Sequence, residues 1–161
     1  SNVQRHLIGA SSAGESELST EGGSSPKDKW LKRRKRSMDR VLVDAPCSGV
    51  GSWRRKPDSR WLPPAKTLDE LNTLQGDILA RASKLVKPGG RLVYATCSLL
   101  TSENEEQVKC FLESEEGRMG GWHLGKPESS FGGPLDADGC MRLSPARTDT
   151  DGFFAAVWQR R

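Results

Sequence analysis

"VLVDAPCSGVGSW" (residues 41–53) runs apolar and β-branched, meets an acid at Asp44, and turns through Pro46 into Cys47, Gly49 and Gly51. Its opening, "RVLVD" (40–44), reads as a strand covered on both faces, the pattern of a parallel sheet. A second stretch, "RLVYATCSLL" (91–100), repeats the plan and stops at Cys97. Between them Leu68, Leu71, Leu74, Ile78, Leu79, Ala82, Leu85 and Val86 recur at helical spacing. Thr67 with Glu70 fits an N-terminal capping box, and "KPGG" (87–90) is expected to end the helix. The unit is therefore strand–helix–strand, a crossover whose strands lie parallel. Ligands in such sheets sit beyond the carboxyl ends of the strands. If the two strands are neighbours, about 4.8 Å apart, Cys47 and Cys97 share one rim.

Working outward, "SENEEQVKCFLES" (102–114) reads as a second helix, with Ser102 and Glu105 as a further capping box and Val108, Phe111 and Leu112 facing inward. Cys110 on this helix is a packing or surface residue. A loop is expected over roughly 115–139, then short strands at 140–145 and 152–159, with Phe153 and Phe154 in the core. Upstream, residues 2–8 read as a short strand, and the Gly/Ser/Glu-rich stretch at about 9–26 as a flexible insertion. The order of elements indicates an α/β fold with an open sheet.

The 161 residues suffice for one domain with a modest core. No apolar run approaches the roughly 18 residues of a membrane span, and the start lacks the plan of a secretory signal. The net charge of +4 is local: residues 27–36, "KDKWLKRRKR", hold seven bases and one acid. That run, with Lys32, Arg33 and Arg34, is either a solvated surface or a contact for phosphates. Arg54, Arg55, Lys56 and Arg60 are interleaved with Trp53 and Trp61, which suits RNA phosphates and unpaired bases; the alternative is tryptophans packed on the crossover helix, favoured for Trp61. The four cysteines form no CxxC pair and only two histidines exist, which argues against a metal site. The missing secretory signal favours a reducing compartment.

"DAPCSGVG" (44–51) and "ATCS" (95–98) resemble the two signature motifs of S-adenosylmethionine-dependent RNA cytosine-5 methyltransferases of the RsmB/NOP type. "WRRKPDSRW" (53–61), "LQGDILARASKLVKPGGRLVYATCSLLTSENEEQV" (74–108) and "LSPARTDTDGFFAAV" (143–157) match in the same order. The resemblance covers residues 39–160 almost continuously. It implies a Rossmann-like class I methyltransferase sheet, methyl transfer to carbon 5 of cytosine in RNA, with ribosomal RNA as the expected partner, and S-adenosylmethionine as the cofactor. It assigns Cys97 as the nucleophile that adds to carbon 6, Cys47 as the thiol that assists release, and Asp44 at the pyrimidine edge. Asp44, Ala45 and Pro46 would border the cofactor's methionine end. The family's glycine-rich cofactor loop and its ribose-binding acid lie upstream of the matching region and have no counterpart here. The expected reading is thus an incomplete catalytic domain over residues 1–161, monomeric when complete and cytoplasmic. A catalytically inactive remnant that still touches RNA is the alternative, and an unrelated thiol protein is a third.

Overall fold

In a computed structural model of the chain, residues 26–61, 64–125 and 134–161 are described. The expected strand at 2–8 and the insertion at about 9–26 lie outside them, apart from Pro26. Among the residues described, five strands form one sheet: β1 (Met38–Asp44), β2 (Val86–Thr96), β3 (Trp122–Leu124), β4 (Met141–Leu143) and β5 (Phe153–Arg160). Their order is β1-β2-β5-β3, with β4 pairing the other half of the β5 edge that β3 occupies. β1 and β2 are parallel, and β5 runs antiparallel to β2.

Among the described residues five helices accompany the sheet: α1 (Pro26–Arg33), α2 (Leu68–Ser83), α3 (Glu105–Glu113), α4 (Glu115–Met119) and the single turn α5 (Pro145–Thr148). The core lies where α2 and α3 meet the sheet. Val41 and Val43 of β1, Leu92 and Tyr94 of β2, and Phe154, Ala156 and Trp158 of β5 pack with Ile78, Leu79, Ala82, Val108 and Phe111. Alternate strand residues point one way, so a period of two supplies one apolar face. The opposite face is more open than the sequence implies. Leu42 aligns with Val93 of β2, which aligns with Val157 of β5. Leu42 is 66% exposed, so "RVLVD" is covered on one face only among the described residues. No described strand pairs with the outer edge of β1.

Thr67 caps α2 in the expected box: its side chain accepts from the Glu70 amide, and the Glu70 carboxylate accepts from the Thr67 amide. The helix ends at Ser83, earlier than the leucine spacing predicts. Leu85 and Val86 are buried, but as the lead into β2. "KPGG" does not cap the helix; it bulges β2 between the Met38–Val86 and Arg40–Arg91 pairs. Gly89 supplies the bulge with a φ of 76°, which an L side chain resists. The second capping box does not form: the helix starts at Glu105, whose carboxylate pairs with Arg142, and its N-cap is Asn104, whose side chain does not bond to the first-turn amides. Residues 115–124, expected in a loop, hold α4 and β3; Trp122 is buried and packs edge-on against Phe111. Helix α1 was legible only as a basic run, yet Trp30 and Leu31 pack on the core.

Candidate active site

β1 and β2 end side by side, with Asp44 opposite Ala95. The Ala45 amide continues the ladder by donating to the Ala95 carbonyl at 2.9 Å. Both chains then leave the sheet in turns, and the two turns remain tied: the Gly51 amide donates to the Cys97 carbonyl at 2.9 Å. A third segment joins them, because the Gly152 amide donates to the Gly51 carbonyl at 2.8 Å. Cys47 and Cys97 face each other across this junction with their sulfurs 3.3 Å apart. The shared rim inferred from the strand ends is therefore present.

The two thiols are electrically unequal. The hydrogen bond from Cys47 is the largest influence on Cys97 and pushes its pKa down to about 7, against burial and the negative fields of Asp44 and Glu103. The same bond, with burial next, raises Cys47 well above the ordinary thiol range. Cys97 is exposed, whereas Cys47 is half-buried. One sulfur is thus accessible and about half ionised near neutral pH, and the other keeps its proton. Cys110 is exposed on α3. Cys140 is buried, and that burial pushes it up to about 12.

Beneath the thiols lies a polar cluster that the sequence reading missed. Glu103 is fully buried. Its Oε1 accepts from the Ser48 amide at 2.8 Å and from Gln75 Nε2 at 3.0 Å, and its Oε2 accepts from Ser48 Oγ at 2.5 Å. Gln75 Nε2 also donates to the Pro46 carbonyl at 2.9 Å. Tyr94 donates its hydroxyl to the Glu103 carbonyl at 2.6 Å. The turn after Cys97 is braced separately. Asn104 accepts from Thr96 Oγ1 at 2.6 Å and donates to the Ser98 carbonyl at 3.1 Å. The one available signal was Gln75, an amide at core spacing between Leu71 and Ile78. Glu103 in "SENEE" reads as an ordinary acid at a helix start.

The remaining expected site residues divide. Asp44 is exposed at the end of β1 and its field reaches Cys97; Ala45 and Pro46 continue directly from it. Arg54 pairs with Asp149 and Asp151, and Arg55 with Asp151, at 2.5–3.4 Å. Lys56 is exposed, and Arg60 lies over the Trp53 ring with its guanidinium carbon 5.5 Å from the centroid. Trp61 does not pack on α2: it is 83% exposed, because it follows the short 3-10 turn Pro57–Arg60 away from the core. Phe154 is buried as expected, and Phe153 half-buried. Lys32, Arg33 and Arg34 are exposed where α1 leads into the start of β1. The length of that strand, about 20 Å, separates them from the thiols. Among the described residues no group of three or more His, Cys, Asp or Glu is placed to hold a metal.

Helices against a mixed sheet, with the ligand rim at the ends of two parallel strands, make this a class I methyltransferase fold that is open beyond β1. The chain belongs to the 16S rRNA methyltransferase RsmB/F family, which it matches over residues 15–159. It is 42% identical over 119 residues to the ribosomal RNA small subunit methyltransferase B of an Enterobacter species, covering 74% of this chain and 26% of that one. The chain spans about a quarter of the length of the curated relatives it matches. Among solved structures it resembles NSun6 from Pyrococcus horikoshii, solved with SFG, at 30% identity and a TM-score of 0.60, over 74% of this chain and 29% of that one. A methyltransferase homologue from the same organism matches at 25% identity and a TM-score of 0.58, over 86% and 43%.

Proposed function

We propose that the chain carries the catalytic cysteines of an RNA cytosine-5 methyltransferase that draws its methyl group from S-adenosylmethionine. The observation that carries this reading is the 3.3 Å pairing of an accessible, acidified thiol with a protonated one at the ends of two parallel strands. Carbon 5 of cytosine is too weak a nucleophile to take a methyl unaided. Attack of the Cys97 thiolate on carbon 6 forms a carbon–sulfur bond and pushes the ring's electrons toward carbon 5. Asp44, exposed at the strand end, would meet the pyrimidine edge and share a proton with ring nitrogen 3 as charge builds there. Once carbon 5 is methylated, with S-adenosylhomocysteine as the leaving group, its proton passes to water, the electron pair of that carbon–hydrogen bond re-forms the double bond, and the bond to Cys97 breaks to return the thiolate. Cys47 assists that last step by hydrogen bonding to the departing sulfur.

The residues present fit the methionine end of the cofactor. Asp44 is an exposed acid at the carboxyl end of β1, where such sheets take ligands, and it runs into the short turn of Ala45 and Pro46. When bound, S-adenosylmethionine supplies the electrophilic methyl group. The basic and aromatic loop 53–61 would take the RNA: Arg54, Arg55, Lys56 and Arg60 meet phosphates, and Trp61 offers an open indole face to an unpaired base. Lys32, Arg33 and Arg34 form a second, more distant phosphate contact. The names of the relatives favour small-subunit ribosomal RNA as the substrate. The test is transfer of labelled methyl groups from S-adenosylmethionine to ribosomal RNA by the full-length protein. Activity lost in Cys97→Ala supports the reading; unchanged transfer in that variant overturns it.

A further inference from the structure

We propose that Glu103 is a positioning residue that holds Cys47 against Cys97 by clamping both neighbours of Cys47. This rests on the proposed roles of the two thiols only where RNA is involved; the clamp itself is read from geometry. The Glu103 carboxyl group takes three hydrogen bonds, two from Ser48 directly and one from Gln75, which in turn holds the Pro46 carbonyl. Residues 46 and 48 flank Cys47, so the backbone on each side of that thiol is fastened to one buried group. Glu103 also stands six residues beyond Cys97 in the same turn, and Tyr94 of β2 secures its carbonyl. The clamp therefore spans the gap between the two strand ends. Three bonds converging on one side chain cost little further ordering, and together they set a spacing that a single bond between two thiols cannot hold alone.

The arrangement separates the clamp from the charge. An amide at position 103 keeps its oxygen for the Ser48 amide and Gln75, and its nitrogen can donate to Ser48 Oγ. Ser48 Oγ is then free to donate to Ser98 Oγ, which lies 3.3 Å away. Glu103→Gln should thus preserve the spacing, whereas Glu103→Ala releases it.

Two readouts test this in the full-length protein, with folding of each variant checked by circular dichroism. The first is site-resolved alkylation by iodoacetamide, followed by mass spectrometry. Glu103→Ala should lower the Cys97-to-Cys47 labelling ratio about ten-fold, since Cys97 loses its donor and Cys47 becomes accessible. Glu103→Gln should stay within about three-fold of the parent. The second is the lifetime of the covalent protein–RNA adduct, which Glu103→Ala should lengthen and Glu103→Gln should restore. A folded Glu103→Ala protein with the parent ratio and lifetime overturns the clamp, as does Glu103→Gln behaving like Glu103→Ala. If Glu103→Ala does not fold, Ser48→Ala and Gln75→Leu each remove one strut and should shift the ratio in the same direction; no shift in either overturns it. A parent protein that forms no adduct sinks the catalytic reading instead, and the alkylation ratio still judges the clamp.

Discussion

Gly152 and Gly51 meet backbone to backbone, the Gly152 amide donating to the Gly51 carbonyl at 2.8 Å. A Cβ on Gly51 would stand 2.5 Å from the Gly152 oxygen and 2.7 Å from the Cys97 oxygen. This junction is where the loop before β5 pins the turns carrying both thiols. Gly51→Ala must push at least one of three backbones aside, so it should destabilise the protein by about 1–3 kcal/mol, the usual cost of overpacking. Urea unfolding measures this. A change below about 0.5 kcal/mol, the range of an ordinary surface substitution, would mean that the junction yields freely.

The inequality of the thiols predicts a pH profile. Cys97 sits at about 7 because Cys47 donates to it. Its thiolate fraction, and with it the iodoacetamide rate, should rise through pH 7 and level off above. Cys47→Ala removes the leading cause of the depression, so the midpoint should move up toward the ordinary thiol range of about 8.5. Rates followed from pH 5.5 to 9.5, with Cys110 labelling resolved separately, check both statements. An unmoved midpoint in Cys47→Ala would assign the acidity to something other than the neighbouring sulfur.

The parts of this architecture that repeat along the chain could be read from it. The strand at 40–44, the leucine spacing of α2 and the Thr67–Glu70 box are local patterns set by backbone geometry, though the two-faced cover expected for that strand is not, since Leu42 is exposed. The two strand-end cysteines were legible for the same reason, since a parallel crossover delivers both ends to one rim. What escaped was decided by distant partners. Glu105 abandons its cap for Arg142, and Glu103 is drawn inward by Ser48 and Gln75, 55 and 28 residues away. α1 and β3 escaped because each is short and leans on one tryptophan, Trp30 or Trp122, whose burial depends on the assembled core. Trp61 went the other way, since nothing in its own segment reveals that the chain carries it outward.

That outward indole yields a prediction with two arms. Trp61 is 83% exposed, so Trp61→Ala should leave the urea midpoint essentially unchanged. If the side chain stacks on an unpaired base, the same substitution should weaken RNA binding by about 1–3 kcal/mol, the usual worth of such a contact. Fluorescence anisotropy with a labelled single-stranded ribosomal fragment reads the second arm. Arg55→Ala gives a useful contrast, because Arg55 already pairs with Asp151 at 2.5 Å. It should lose less affinity than a free phosphate-binding arginine. Unaltered affinity in Trp61→Ala would remove the indole from the RNA path.

The division of labour between the two sulfurs is open to a direct comparison. Cys97 is the exposed, acidified thiol and so the one equipped to attack; Cys47 keeps its proton and is half-buried. Cys97→Ala should therefore abolish any covalent product with RNA. Cys47→Ala leaves the attacking sulfur in place, though less acidic, and removes the group that helps the bond to break. Its adduct should form more slowly at neutral pH and then persist. On a denaturing gel run after incubation with RNA and S-adenosylmethionine, Cys47→Ala should give a slow-migrating protein–RNA band, absent from Cys97→Ala and transient in the parent. Raising the pH to about 8.5, the ordinary thiol pKa, should recover the rate at which the band appears without shortening its life, because ionisation governs attack and not release. A persistent band in Cys97→Ala, with none in Cys47→Ala, would exchange the two roles and would require the half-buried thiol to be the nucleophile despite its raised pKa.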